Sequence, residues 1–183
     1  MGSTSSELAA ATAALISRLE RVSVPLTRCG RCDPEARRLL RFGAPDLFPN
    51  ARNPQAALAG LLLIAGCWDE AHQVSQDLND AEGSYWHALA HRMEPETWNS
   101  DYWFGRVESH PIFAELLAKA SEVIRQHPRA RLELQSRWQP PLLNSWCDRA
   151  RESQDPELVS AVTEIHSAEC WLLWKWCARL SLK

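Results

Sequence analysis

The chain has 183 residues, 45% hydrophobic and 23% charged, with a formal net charge of −3 at pH 7. That length suits one domain able to bury a core of its own. The mild acidity gives no electrostatic reason to expect nucleic acid or an anionic membrane as partner, and the apolar run "AALAGLLLIAG" is about half of what a bilayer span requires.

Helix signals run from end to end. The start, "MGSTSSELAAATAALISRLERV", lacks a basic leader region and a cleavage site and reads as mature protein. It formally fits an acylation pattern, but nothing else points to an anchor. Residues 6–22 are expected to form a first helix, stopped by Pro25. Cys29 and Cys32 follow as a single CxxC, and the other cysteines, Cys67, Cys147, Cys170 and Cys177, are scattered. A zinc ribbon needs a second pair at matching spacing, and a redox CxxC normally opens a helix after a strand. Six cysteines without a secretion signal imply free thiols in a reducing, cytoplasmic setting.

Asp33-Pro34 is an N-cap followed by proline at the first helical position, opening "PEARRLLRFG". "APDLFPNARNP" reads as a proline-rich connection, and Asn53-Pro54 repeats the capping device before "QAALAGLLLIAG". "CWDEAHQVSQDLND" is the next helix, broken at "AEG"; Ser84 then caps a helix that Pro95 bounds. Asn99 or Ser100 caps "DYWFGRVES", and His110-Pro111 starts "IFAELLAKASEVIRQ". Residues 129–152 suggest two short helices interrupted by Pro140-Pro141, and Asp155-Pro156 opens a long last helix.

Period-2 alternation bounded by hairpin dipeptides is absent. The expected fold is therefore all-α, with seven to nine helices as stacked antiparallel hairpins or an irregular bundle. It reads as one helical domain over 1–183: N-terminal helices and connection (1–52), a motif-bearing core (53–127) and C-terminal helices (128–183).

Placing residues at 100° intervals shows what each helix offers. With His87 as origin, His91 falls at about 40° and Glu94 at about 340°, on one face. Tyr85, Trp86, Leu89 and Met93 lie at about 160–260°, the core-seeking side. The histidines then face water or a cleft. On the preceding helix Ala71, Val74 and Leu78 form the apolar stripe, while Asp69, His72 and Gln76 gather elsewhere. In an antiparallel pair the two polar faces can converge.

An i,i+4 histidine pair puts two imidazoles within reach of one ion, with a third ligand from elsewhere. The expected metal ligands are His72, His87 and His91, for Zn²⁺, Fe²⁺ or Mn²⁺. Glu94 is expected as ligand or base, Asp69 or Gln76 as the group that orients an imidazole, and Asp69 also as a catalytic carboxylate. Tyr102, Arg106 and His110 fall within about 80° of one another, a face on which Arg106 can hold an anion. With Gln76, Trp86 and Trp103 they are the expected contacts to a small-molecule ligand.

The last helix carries one stripe, Val159, Val162, His166, Cys170, Leu173, Cys177 and Leu180. His166 on that stripe reads as a core residue. Trp171, Trp174 and Trp176 make the helix apolar nearly all round, so it is central in the bundle or buried in a homodimer. Nine tryptophans against two tyrosines and four phenylalanines also leave room for an aromatic-lined binding surface.

The block from Ala59 to Phe113 resembles a family of uncharacterised microbial helical proteins, through "WDEAHQVSQ", "GSYWHALAHRMEPE" and "NSDYWFGRVESHPIF" in that order. The resemblance implies that Asp69, His72, Gln76, Trp86, His87, His91, Arg92, Glu94, Asn99, Tyr102, Trp103, Arg106 and His110 belong to one motif, and it transfers no activity. "LAGLLLIAGCWDEAHQVSQDL" is also similar to a tetratricopeptide hairpin, which suggests binding. The expected function is a small helical enzyme or metalloprotein with a histidine-rich polar cleft. The alternative is a noncatalytic, Trp-rich binding module or dimeric interaction protein.

Overall fold

The computed structural model describes residues 2–95 and 97–179. Among these the chain is all-helical, with ten α-helices, one 3-10 turn at Pro128–Ala130 and no strand. The helices are α1 (Gly2–Leu19), α2 (Pro34–Leu39), α3 (Ala44–Leu47), α4 (Pro54–Ile64), α5 (Trp68–Gln76), α6 (Ala81–Arg92), α7 (Trp98–Phe104), α8 (Phe113–Gln126), α9 (Pro140–Glu152) and α10 (Pro156–Ala178). No helix among the described residues is long and apolar enough to cross a membrane.

Side-chain caps and first-turn prolines set the helix starts. Asp33 accepts from the backbone N–H of Glu35 and Ala36, Asn53 from Ala56, and Asp155 from Glu157, each ahead of a proline whose missing N–H costs nothing there. Pro140-Pro141 likewise occupies a first turn, here behind Gln139 and without a side-chain cap. It opens α9 rather than interrupting it.

Further boundaries differ from expectation. Asp80, not Ser84, caps α6 by accepting from Gly83 N–H at 2.7 Å, so "AEG" is the first turn of α6 and not a break. The helix after it begins at Trp98 behind Thr97, which makes no side-chain cap, and stops at Phe104. The proline-rich connection contains α3, and α1 ends at Leu19. Leu180, last of the expected α10 stripe, lies outside the described residues.

α4 and α10 form the centre. α4 is buried from Ala56 through Ile64 and packs on α2, α3, α5, α6 and α10. α10 lies against α4, α6, α8 and α9. Trp174 is buried within the chain, its indole N–H donating to Ala57 C=O at 3.0 Å. Two apolar clusters result: one spans α1 to α7 and the second half of α10, the other α8, α9 and the first half of α10.

Gly60 lets α4 and α6 approach closely. A Cβ there would lie 2.2 Å from Trp86 Cζ2, a distance no packing tolerates. The starts of the two helices are tied as well, Asn53 Nδ2 donating to Asp80 Oδ2 at 2.8 Å.

The free-thiol expectation fails at two positions. Cys32 and Cys67 form a disulfide, whereas Cys29, Cys147, Cys170 and Cys177 are free. The reason is tertiary: the segment before α2 lies against the α4–α5 turn, with Asp33 N–H donating to Ala65 C=O at 3.0 Å. Residues 35 positions apart thus become neighbours.

Candidate metal centre

α6 has a neighbour on every side. α4 and α10 cover one flank, α5 and α7 the other, and every residue from Gly83 to Arg92 is buried. The polar face therefore opens neither to bulk water nor to a wide cleft. His87 is only 2% exposed and His91 8%, while His72 of α5 is half-buried.

The three rings converge through Nε2. His91 Nε2 lies 2.9 Å from His87 Nε2 and 3.3 Å from His72 Nε2, and the three potential ligand atoms all fall within 4.8 Å of one another. A tetrahedral zinc ion with bonds near 2.0–2.1 Å separates two nitrogens by about 3.3 Å, so small side-chain movements suffice.

The outer nitrogens decide what the inner ones carry. Glu94 Oε2 lies 2.7 Å from His91 Nδ1. An ionised carboxylate only accepts, so the His91 proton sits on Nδ1 and Nε2 presents a lone pair. Ser75 Oγ donates its one proton to His72 C=O at 3.1 Å, which leaves it an acceptor for His87 Nδ1 at 3.5 Å. His87 Nε2 then also presents a lone pair.

Two lone pairs facing each other at 2.9 Å repel, and a cation held between them would remove that repulsion. Burial disfavours a proton in that role. It pushes His87 down to about 3, aided by His72 and His91, and lowers His72, aided by His91. Neutral imidazoles with inward lone pairs are the form that binds metal.

Aromatic rings enclose the group. Trp68 stacks on His72, centroids 4.8 Å apart and planes 16° apart, and its N–H is fixed on Ala90 C=O at 2.8 Å. Trp103 lies against His87 with centroids at 4.1 Å. The Asn99 amide stands 3.1 Å from His91 Nε2 and 3.2 Å from Nδ1.

The remaining expected site residues lie elsewhere. The Asp69 side chain is 73% exposed and paired with Arg28 at 2.5 Å, so it orients no histidine. Gln76 is exposed at the end of α5. Trp86 is buried beneath Gly60, on the α4 side of α6, where no ligand reaches it. Tyr102 is 61% exposed, and exposed Arg106 lies 5.3 Å from the Trp103 ring.

His110 does not join Tyr102 and Arg106. It is buried against Tyr85, Phe113 and Trp176, with Nε2 3.8 Å from Glu82 Oε1. The 100° count fails there because α7 ends before it. His166 is fully buried, as its stripe implied.

Sequence reasoning gave no role to Ser75, took Asn99 for a helix cap and a member of the resembled motif, and missed a second buried network altogether. Arg92 Nη1 donates to Glu169 Oε2, Arg92 Nε to Asn144 Oδ1 at 2.5 Å, and Tyr85 OH to Glu169 Oε1 at 2.6 Å. Glu169 was findable: it is an acid inside an apolar stretch of α10, three residues after His166. Comparison with family models, curated proteins and solved structures returned no match.

Proposed function

We propose that this chain is a small helical metalloprotein in which His72, His87 and His91 hold one divalent ion, zinc foremost and Fe²⁺ or Mn²⁺ next. The carrying observation is the convergence of three Nε2 atoms with the outer nitrogens of His91 and His87 committed to Glu94 and Ser75. Three neutral imidazoles leave a position open, and the ion would supply Lewis acidity there for hydrolytic or oxygen chemistry.

The chain's own groups then have separate tasks. Glu94 holds the proton on His91 Nδ1 and fixes the orientation of that ring. Trp68 and Trp103 wall off water, which strengthens every charge interaction inside. Asn99 stands where it can hydrogen-bond a small bound molecule, and Arg106 beside Trp103 favours an anionic one. Trp98, 68% exposed, and Tyr102 on α7 favour the second reading, a binding surface for a planar or peptide ligand.

Metal analysis of tag-free protein purified without added metal tests the first reading. With the Cys32–Cys67 disulfide intact, one equivalent of ion is expected in the wild type and none in the His87→Ala/His91→Ala double variant. Substoichiometric metal that the double variant does not lower would overturn it.

A further inference from the structure

The disulfide region holds a pattern that no pair of cysteines reveals alone. Cys29-x-x-Cys32 lies in the segment before α2, and Cys67-x-x-Glu70 spans the N-cap and first turn of α5. Both have the two-residue spacing of paired zinc ligands, with a carboxylate in the fourth place. Potential ligand atoms of Cys32, Cys67 and Glu70 lie within 4.8 Å of one another.

The backbone is built for this approach. Gly66 adopts φ 77°, and a Cβ on it would lie 2.3 Å from Arg31 C=O and 3.3 Å from Cys29 Sγ. Only glycine lets the two segments meet, and the Cys29 sulfur already rests on the residue preceding Cys67. Gly30, at φ 64°, turns the chain between Cys29 and Cys32. Arg37 Nε holds Glu70 Oε1 at 2.7 Å. That leaves the second carboxylate oxygen for an ion, and the guanidinium offsets part of the charge of three thiolates.

We propose that Cys29, Cys32, Cys67 and Glu70 form a second metal site, for zinc or another thiophilic divalent ion, and that the Cys32–Cys67 disulfide is its oxidised, metal-free state. A dithiol reductant delivers two electrons and two protons. The S–S bond breaks, two thiols form, and the reductant closes into its own disulfide. The ion then displaces the protons of Cys29, Cys32 and Cys67 into solvent, Cys29 reaching it by turning its side chain, while the Glu70 carboxylate supplies the fourth ligand. The ligands are distinct from the histidines, so this proposal does not rest on the first site.

Cobalt distinguishes the two, since only thiolate ligands give sulfur-to-cobalt charge-transfer absorption in the near ultraviolet. Full-length tag-free protein is reduced with a dithiol, freed of it without oxygen, and titrated with Co²⁺, with circular dichroism following the helices. The proposal expects one equivalent with that band, displaced by Zn²⁺, absent from the oxidised protein and retained in His87→Ala/His91→Ala. Cys29→Ser, at an exposed position, and Glu70→Gln should each weaken cobalt binding at least about tenfold. Absence of the band in reduced, helical protein overturns the proposal, as does a band that Cys29→Ser and Glu70→Gln leave at full affinity. A reduced chain that loses its helices and does not regain them with Zn²⁺ overturns it too.

Discussion

α6 carries two buried polar clusters on different sides, and they are resolved in different ways. Toward α9 and α10, Arg92 meets Glu169 and Asn144, and Tyr85 closes the second oxygen of Glu169. Charge faces charge, and nearly every donor has its acceptor. Toward α5, His87 and His91 meet His72 with like groups facing one another. Burial alone does not mark a functional site. A cluster completed by its own residues is a strut; a cluster whose ring nitrogens converge on one point could hold a metal ion.

The largest expected effect breaks the strut. Glu169→Gln removes one charge of a fully buried pair and should cost about 3–5 kcal/mol in denaturant unfolding, because Arg92 stays charged in a dry site. A loss under about 1 kcal/mol would show that the two clusters are not energetically different in kind.

Next comes the ion itself. In the oxidised protein, zinc at a hundredfold over its Kd should raise stability by about 2.7 kcal/mol. The His87→Ala/His91→Ala variant should gain nothing. Equal gains in both proteins would remove the distinction between strut and site.

Glu94→Gln keeps the shape beside His91 Nδ1 and removes the charge. Zinc affinity should fall about 10–100-fold with the fold intact, read by competition with a chelating dye.

The smallest effect concerns Glu82, on the first turn of the same helix. His110 and the Trp176 indole N–H hold its carboxyl at about 2 against an ordinary 4.5. A lowered carboxylate pKa stabilises the fold above pH 4.5, and that stability is lost as pH falls toward 2. Acid unfolding of Glu82→Gln should lack this component, on the order of 1 kcal/mol, while its zinc affinity is unchanged. A change in zinc affinity would mean the clusters on α6 are coupled.

The legible part of the molecule was local. Aspartate or asparagine ahead of proline gave the starts of α2, α4 and α10, and helical spacing put His87, His91 and Glu94 on one side of α6. Spacing also paired that side with His72 on the preceding helix, and the three rings meet. It misassigned His110, because a periodic count holds only while the helix does and α7 stops at Phe104. Asp69 was misread for another reason. Its partner Arg28 is 41 positions away, and no spacing rule reaches that far.

What the sequence determined by itself was the helical class, most caps and the identity of the histidine set, since these depend on backbone propensity and a period of 3.6 residues. Burial of the histidines, the Arg92–Glu169 strut, the Cys32–Cys67 bond and the meeting of Cys32 and Cys67 with Glu70 were decided only in three dimensions. Each joins groups from separate elements. Their energies depend on which surfaces are dried when α4 and α10 gather the rest around them, and that follows from packing, not from any single segment.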